Sequence, residues 1–488
     1  MIEFGEYAPD RSVFDPTACN TIQNVLPHAK SWGPFPSYQA FTQPMEERPQ
    51  GAILANFENG QYYVFVGTQT RLWRFNANDL SWDDVSGVSA PFNTPDASSW
   101  SLCQFGDWVI ASNGIDAVQY FDVRTSTAFQ PLNETDAPKA LFTGVIGDFV
   151  MLLNLQASNT RIQWSGLNNP TFWTPREQSS DFQQFPDGGE IMGYSGYEKG
   201  CVIFHENCIR EGSLALDTSL IMTFNKTVEN HGVAAPKSII PTGNGIFYLS
   251  QDGFYQYGNP PRPIGNERVD NFFINDVAVD GLYGVYGSED PTRKVVYWAY
   301  RSRANTMPHS YDKVLAYSYG TDKWSLLRPG TYLTGLIEAA TPGYTLDSLD
   351  QLGIPLDELP YSLDSRAWAG GFPTLAAFDV NNRLGFFSGT PLEAVIQTGS
   401  VSLTEGKRTF INGFRVMADA SMTSGRIAIR DRAGAADTWK NESSCNRTGL
   451  IPSRASGRFH RFEVKIPGGQ EWAHIHGVEP VGTVEGQQ

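Results

Sequence analysis

The apolar residues of this chain fall in short runs of strand length, not at helical spacing. One run recurs as Tyr63-Val64-Phe65-Val66, Gly106-Asp107-Trp108-Val109-Ile110, Gly147-Asp148-Phe149-Val150-Met151, Gly200-Cys201-Val202-Ile203-Phe204, Gly245-Ile246-Phe247-Tyr248-Leu249 and Val295-Val296-Tyr297-Trp298. After a turn-rich gap each is followed by a second run, with first apolar residues Leu72, Val118, Ile162, Ile209, Phe254 and Val314. Such pairs, bounded by Gly and Asn, read as hairpins. The first five of these second runs are 46, 44, 47 and 45 residues apart, and Val314 follows after 60, the extra length falling in the loop 301–310. A weaker seventh pair, Leu375-Ala376-Ala377-Phe378 with Leu384-Gly385-Phe386-Phe387, follows a long insertion.

A strand-dominated period of about 40 to 50 residues predicts an all-β chain built as a six- to seven-bladed β-propeller. Blades are expected over 51–340, with a closing unit at 368–391. Radial packing explains why the sequence repeats, because a lone four-stranded sheet cannot bury both faces, whereas each blade in a ring covers its neighbours. Trp73, Trp82, Trp108, Trp164, Trp173, Trp298 and Trp324 are expected to fill the space between blades.

Three regions depart from the repeat. Residues 1–50 hold seven prolines, which predicts an extended segment that wraps the body or a neighbouring subunit. Residues 341–367 repeat a Leu-Asp theme broken by Pro355 and Pro360, which suggests a short helix or two outside the ring. Residues 392–488 alternate apolar and polar and predict a small antiparallel β-sandwich, with Phe410-Ile411-Asn412-Gly413-Phe414-Arg415-Val416 as its clearest hairpin.

Charge changes the picture. The chain is −16 overall, yet residues 401–466 hold 12 Lys and Arg against 6 Asp and Glu, while residues 1–400 hold 24 against 43. The acidic body opposes nucleic acid and anionic membrane at long range, which argues against a sequence-specific DNA reader. The five scattered cysteines form no zinc or disulfide pattern. No run approaches a membrane span, and the N-terminal residues lack the basic and apolar stretches of an export signal.

No catalytic constellation stands out, so no catalytic residue, cofactor or metal is expected. Asp107 and Asp148 occupy equivalent repeat positions, as turn residues do. Ser250-Gln251-Asp252-Gly253-Phe254 departs from a sialidase aspartate box in its Gly spacing and lacks the Thr-Trp end. His474 and His476, two apart on a predicted strand, share one face but have no third metal ligand in view. The basic side chains at 401–466, above all Arg454, Arg458 and Arg461, are candidates for docking on the acidic body of a neighbouring copy, against the plainer reading of a solvated sandwich surface.

Gly243-Asn244-Gly245-Ile246-Phe247-Tyr248-Leu249-Ser250-Gln251-Asp252-Gly253-Phe254-Tyr255, with Pro263-Ile264-Gly265 and Arg268-Val269-Asp270-Asn271-Phe272-Phe273, resembles the tail nozzle and packaged-DNA stabilisation proteins (tail hub proteins) of short-tailed bacteriophages. Ala18–Pro36, Val295–Tyr300 and Ser362-Leu363-Asp364-Ser365-Arg366 add to the likeness, which covers most of residues 15–390. The resemblance implies a structural virion protein of the phage tail, assembled in the host cytoplasm. It implies a homohexameric ring that extends the portal-adaptor channel, retains packaged DNA and conducts the double strand at ejection. Tail fibre, spike or needle proteins would be its other partners. The competing readings are a propeller that binds or cleaves host glycans, and a cellular scaffold for protein partners.

Overall fold

The computed structural model describes all residues except 58–60, 134, 216–220, 341–342, 345–354, 356–358, 360–367, 369, 371–372 and 486–488. The run pairs seen in the sequence are the second and third strands of seven four-stranded antiparallel blades. Blade 1 spans 52–84, blade 2 101–131, blade 3 140–184, blade 4 191–229, blade 5 240–263 and blade 6 286–327. Second strands such as Gly200–His205 and Val295–Tyr300 are buried along their whole length, covered by a neighbouring blade on each side. In blades 2 to 5 two-residue turns join first to second strands, as at Gly106-Asp107, where Phe105 pairs with Trp108 and Gly106 takes a φ of 56°.

Blade 7 is not continuous in sequence. Leu333–Ala339, Thr374–Asp379 and Leu384–Pro391 supply three strands, and Pro36–Ala40 supplies the outermost, pairing Ala40 with Gly385 and Tyr38 with Phe387. An N-terminal strand therefore closes the ring. Pro36 is tolerated because an outermost strand has a free edge.

The same N-terminal segment holds the C-terminal sandwich. Ala18–Gln23 runs parallel to the outer strand of blade 6 at Gln23 and Leu326, and antiparallel to Ala394–Thr398 on its other side. Phe459–Ile466, Ser424–Arg430 and Thr438–Trp439 continue outward, so blade 6 and one sandwich layer form a single eleven-stranded sheet. The facing layer runs Leu450–Gly457, Arg408–Ala418, Ile475–Glu485, Ser31–Pro34 and Val25–His28, with Ile2–Glu3 paired to Ile475–Glu485. Ile411, Phe414, Ile451 and Val478 of this layer pack on Ile427, Phe462, Val464 and Ile466, in one core that runs through Tyr7, Ile22 and Trp32 to Phe254, Trp298 and Trp324 of blades 5 and 6.

Two expectations are corrected. Phe410–Val416 is no hairpin: Arg408–Ala418 is one strand, paired on both sides, and Asn412-Gly413 forms a β-bulge in it. An Asn-Gly step turns a chain only where no flanking strands hold it straight. Trp108 is only half-buried, whereas the other six named tryptophans are buried. The expected helices of 341–367 lie, apart from Gly343, Tyr344, Pro355 and Leu359, outside the described residues. Among the described residues Asp270–Asp276 is α-helical, as is Trp368, and no helix is long and apolar enough to cross a membrane.

Candidate functional site

The residues that carry the phage-tail likeness converge where the N-terminal segment, blade 5 and blade 6 meet. Gly253 opens the third strand of blade 5, and Gly265 follows its last strand. A Cβ on either would overlap the carboxylate of Asp270, the first residue of the helix. Asp270 is 7% exposed and accepts a hydrogen bond from the Phe254 amide at 3.1 Å. Burial lifts its carboxyl to about 7, and the nearby Asp10 and Asp252 push the same way. Asp10 reaches over from the N-terminal segment to the helix start, where its two oxygens accept the amides of Asn271 and Phe272 at 2.8 Å each. Arg268 bridges the blades: it donates to Asp322 at 3.0 and 3.2 Å and lies 3.6 Å from Glu6. Trp324 donates to the Ile264 carbonyl at 2.8 Å, and Trp298 to that of Ser238 at 3.0 Å. The motif is thus a clamp built from three distant segments.

The basic module divides into two groups. Arg430 and Arg461 share Asp437, at 2.8 and 3.2 Å, and Arg461 also donates to the Thr398 carbonyl at 3.0 Å and to Gln397 at 3.1 Å. Arg426 lies 2.7 Å from Glu463, and its guanidinium stacks over Trp439. Lys465 meets Glu442 at 2.7 Å, which holds that carboxyl below its ordinary range. Arg408 and Arg415 pair with Asp431 and Glu479. Arg461, only 12% exposed at its side chain, is therefore a framework residue and does not project from a solvent face. Lys407, Arg432, Arg454 and Arg458 are exposed and make no ion pair among the described residues. Lys407, Arg432 and Arg458 flank strand ends that adjoin through Thr409 with Gly457 and Arg430 with Phe459, so these three gather at one end of the sandwich, while Arg454 lies mid-strand and the exposed Arg447 precedes the other end of the same strand.

Asp437 and Glu463 escaped the sequence reading. Glu463 had a usable signal, since strand alternation puts it on the face opposite Phe462 and Val464, directly across from Arg426. Asp437 had none, because it lies in a loop.

Elsewhere, Asp107 sits in its turn paired with Arg124, and the Asp148 carbonyl accepts the Asn168 amide at 2.9 Å. His28 joins His474, their rings 4.8 Å apart, and His474 Nδ1 lies 2.9 Å from Ser31 Oγ. No group of three His, Cys, Asp or Glu among the described residues is placed to hold a metal ion. All five cysteines are free thiols. On blade 2, Trp108, stacked on Tyr120 at 4.4 Å, lines a groove of about 320 Å³ with Asp107, Asp122 and Arg124.

No protein-family model and no curated protein matches the chain. Among solved structures it is similar to YCF48 bound to a D1 peptide, at 10% identity and a TM-score of 0.36, over 61% of this chain and 94% of that one. BamB from Moraxella catarrhalis aligns at 12% identity and 0.32, over 62% and 95%. PorZ of the Porphyromonas gingivalis type-IX secretion system aligns at 9% and 0.34, over 83% of this chain and 46% of that one. The chain is a seven-bladed β-propeller with a β-sandwich stitched to blade 6.

Proposed function

We propose that this chain is a structural virion protein, one subunit of a homohexameric tail nozzle that extends the portal-adaptor channel, retains packaged DNA and conducts it at ejection. The observation that supports the reading most is the clamp around Asp270. The residues on which the phage-tail likeness rests bind the N-terminal segment to blades 5 and 6 and so make propeller and sandwich one mechanical body. A subunit exposed to genome pressure needs such continuity. The acidic body fits a conduit for the duplex, since carboxylates form no salt bridges with phosphates that would brake sliding. Lys407, Arg432 and Arg458, free at one end of the sandwich, suit docking on the acidic body of the next copy. In this reading the chain is not an enzyme, and it acts in the phage tail beside portal, adaptor and fibre, spike or needle proteins.

Native mass measurement of the purified chain, alone and mixed with portal-adaptor complexes, tests this directly. A hexamer, or a sixfold complement on the portal ring, is expected; a chain that stays monomeric and binds no portal-adaptor complex overturns the reading.

The groove at Trp108 favours a second reading, host-glycan binding, because a half-buried aromatic ring flanked by carboxylates suits a sugar ring. It predicts that Trp108→Ala lowers retention on host polysaccharide without altering the native mass.

A further inference from the structure

The seven inner strands surround an axis, and at one end of it the chain forms a cavity of about 90 Å³. Its walls include Arg48, Asp96, Lys237, Tyr283, His309 and Tyr311. These residues lie in the segments that lead into blades 1, 2, 5 and 6, and in the long loop of blade 6. Lys237 Nζ lies 3.4 Å from the carbonyl of Gln50, so the approach to blade 5 touches the approach to blade 1. Blades that are not neighbours in a ring meet only at its axis.

The cavity gathers three basic groups, Arg48, Lys237 and His309, against one carboxylate, Asp96. Lys237 has the Gln50 carbonyl and the face of Tyr286, 4.4 Å from its nitrogen, but no carboxylate partner among the described residues. Arg48 donates to the Asp96 carbonyl at 2.8 Å, and its guanidinium is 3.8 Å from the Asp96 carboxylate, which is itself 71% exposed. His309 is the third basic group. Burial pushes Lys237 down to about 7, with Arg48 adding to the effect, and burial also lowers Arg48 and His309. Basic groups gathered in a partly desolvated pocket without matching anions resist protonation, and a bound anion would favour their charged forms. The contrast with the −16 chain around them is large. The space would hold a few waters or one small polyatomic anion.

We propose that the axial cavity is a binding site for a compact oxyanion, a carboxylate or phosphate group, held between Lys237, Arg48 and His309. The tyrosines form its walls, and the exposed edge of Tyr283 marks its mouth. The site is independent of the ring reading and of the sandwich cations.

The test uses the full chain. An N-hydroxysuccinimide ester at limiting amount labels lysines in proportion to their free-amine reactivity, and mass spectrometry reads Lys237 against the other lysines. Inorganic phosphate or acetate, against chloride at equal ionic strength, is expected to slow labelling at Lys237 alone, by about half at an anion concentration equal to its dissociation constant. The same anion is expected to raise Tm, and Lys237→Met to abolish that rise. Protection by phosphate only, or by acetate only, assigns the natural ligand to that chemistry, and protection by both supports the shared site. Equal labelling in all three salts overturns the proposal, as does a Tm rise that persists in Lys237→Met. If that variant does not fold, labelling of the unaltered chain decides.

Discussion

Blades 2 to 4 and the blade 6–sandwich assembly are built from the same kind of strand but by opposite rules. Each of the first three takes its four strands consecutively, and its third strand follows the second by a short loop. The eleven-stranded sheet instead alternates N-terminal, middle and C-terminal segments, and its central contact, Gln23 with Leu326, joins residues three hundred apart. Consecutive blades take all their strand pairing locally and share only side-chain cores with their neighbours. The stitched assembly has no local fallback, because removing one N-terminal strand opens two structures at once.

Deleting residues 1–40 tests this most severely. It strips blade 7 of its outer strand and separates blade 6 from the sandwich, and loss of soluble folded protein is expected by circular dichroism and gel filtration. Replacing Gln130, in the two-residue edge strand of blade 2, with Ala should change little by the same assays.

Trp298→Ala comes next. The side chain is fully buried, packs at 4.8 Å on Phe254 and 5.7 Å on Trp324, and holds Ser238, so denaturant unfolding should show a loss of about 3–5 kcal/mol.

Asp270→Asn sharpens the picture by pH. The folded carboxyl titrates near 7 and the unfolded one near 4, so between those values the folded chain holds a proton that the unfolded chain has lost. Stability from this group is present below about pH 4 and is lost as pH rises through about 7. The variant, which keeps an acceptor for the Phe254 amide, should gain on the order of 4 kcal/mol over the parent at pH 8 and little at pH 4. An equal difference at both pH values would refute the assignment.

The smallest effects separate the arginines. Arg461→Ala should cost roughly 2 kcal/mol in chemical denaturation, because it breaks a partly buried network, whereas Arg454→Ala should stay within about 0.5 kcal/mol. Charge reversal at Arg454 and Arg458 together should leave stability unchanged yet weaken self-association at low salt, read by native mass.

What the sequence revealed follows from how many sides of a strand are covered. Second strands, covered on both faces, are continuous apolar runs and betray the period. Inner strands such as Ser101–Phe105 line the axis and mix their residues, and the outer strands of blades 2 and 5 shrink to pairs, Gln130–Pro131 and Arg262–Pro263, so these could not be read from pattern. Pro36–Ala40 was hidden in a proline-rich stretch, since prolines mask strand character even where a free edge accepts them. The basic excess at 401–466 was visible, but its division into framework and free charge was not, because that depends on cross-strand partners such as Asp437. The axial cations Arg48, Lys237 and His309 carry no local signal at all, being brought together only by the closing of the ring.

That closing also sets a clock. Tyr38 donates its hydroxyl proton to the Arg383 carbonyl, 345 residues later in the chain. At a synthesis rate of about 5–20 residues per second, the closing strand leaves the ribosome roughly 20 to 70 s before its partner exists. During that interval the earliest blades can form, but the ring stays an open arc with an unpaired end, so the last step in making this protein must use almost the first piece of it that was made.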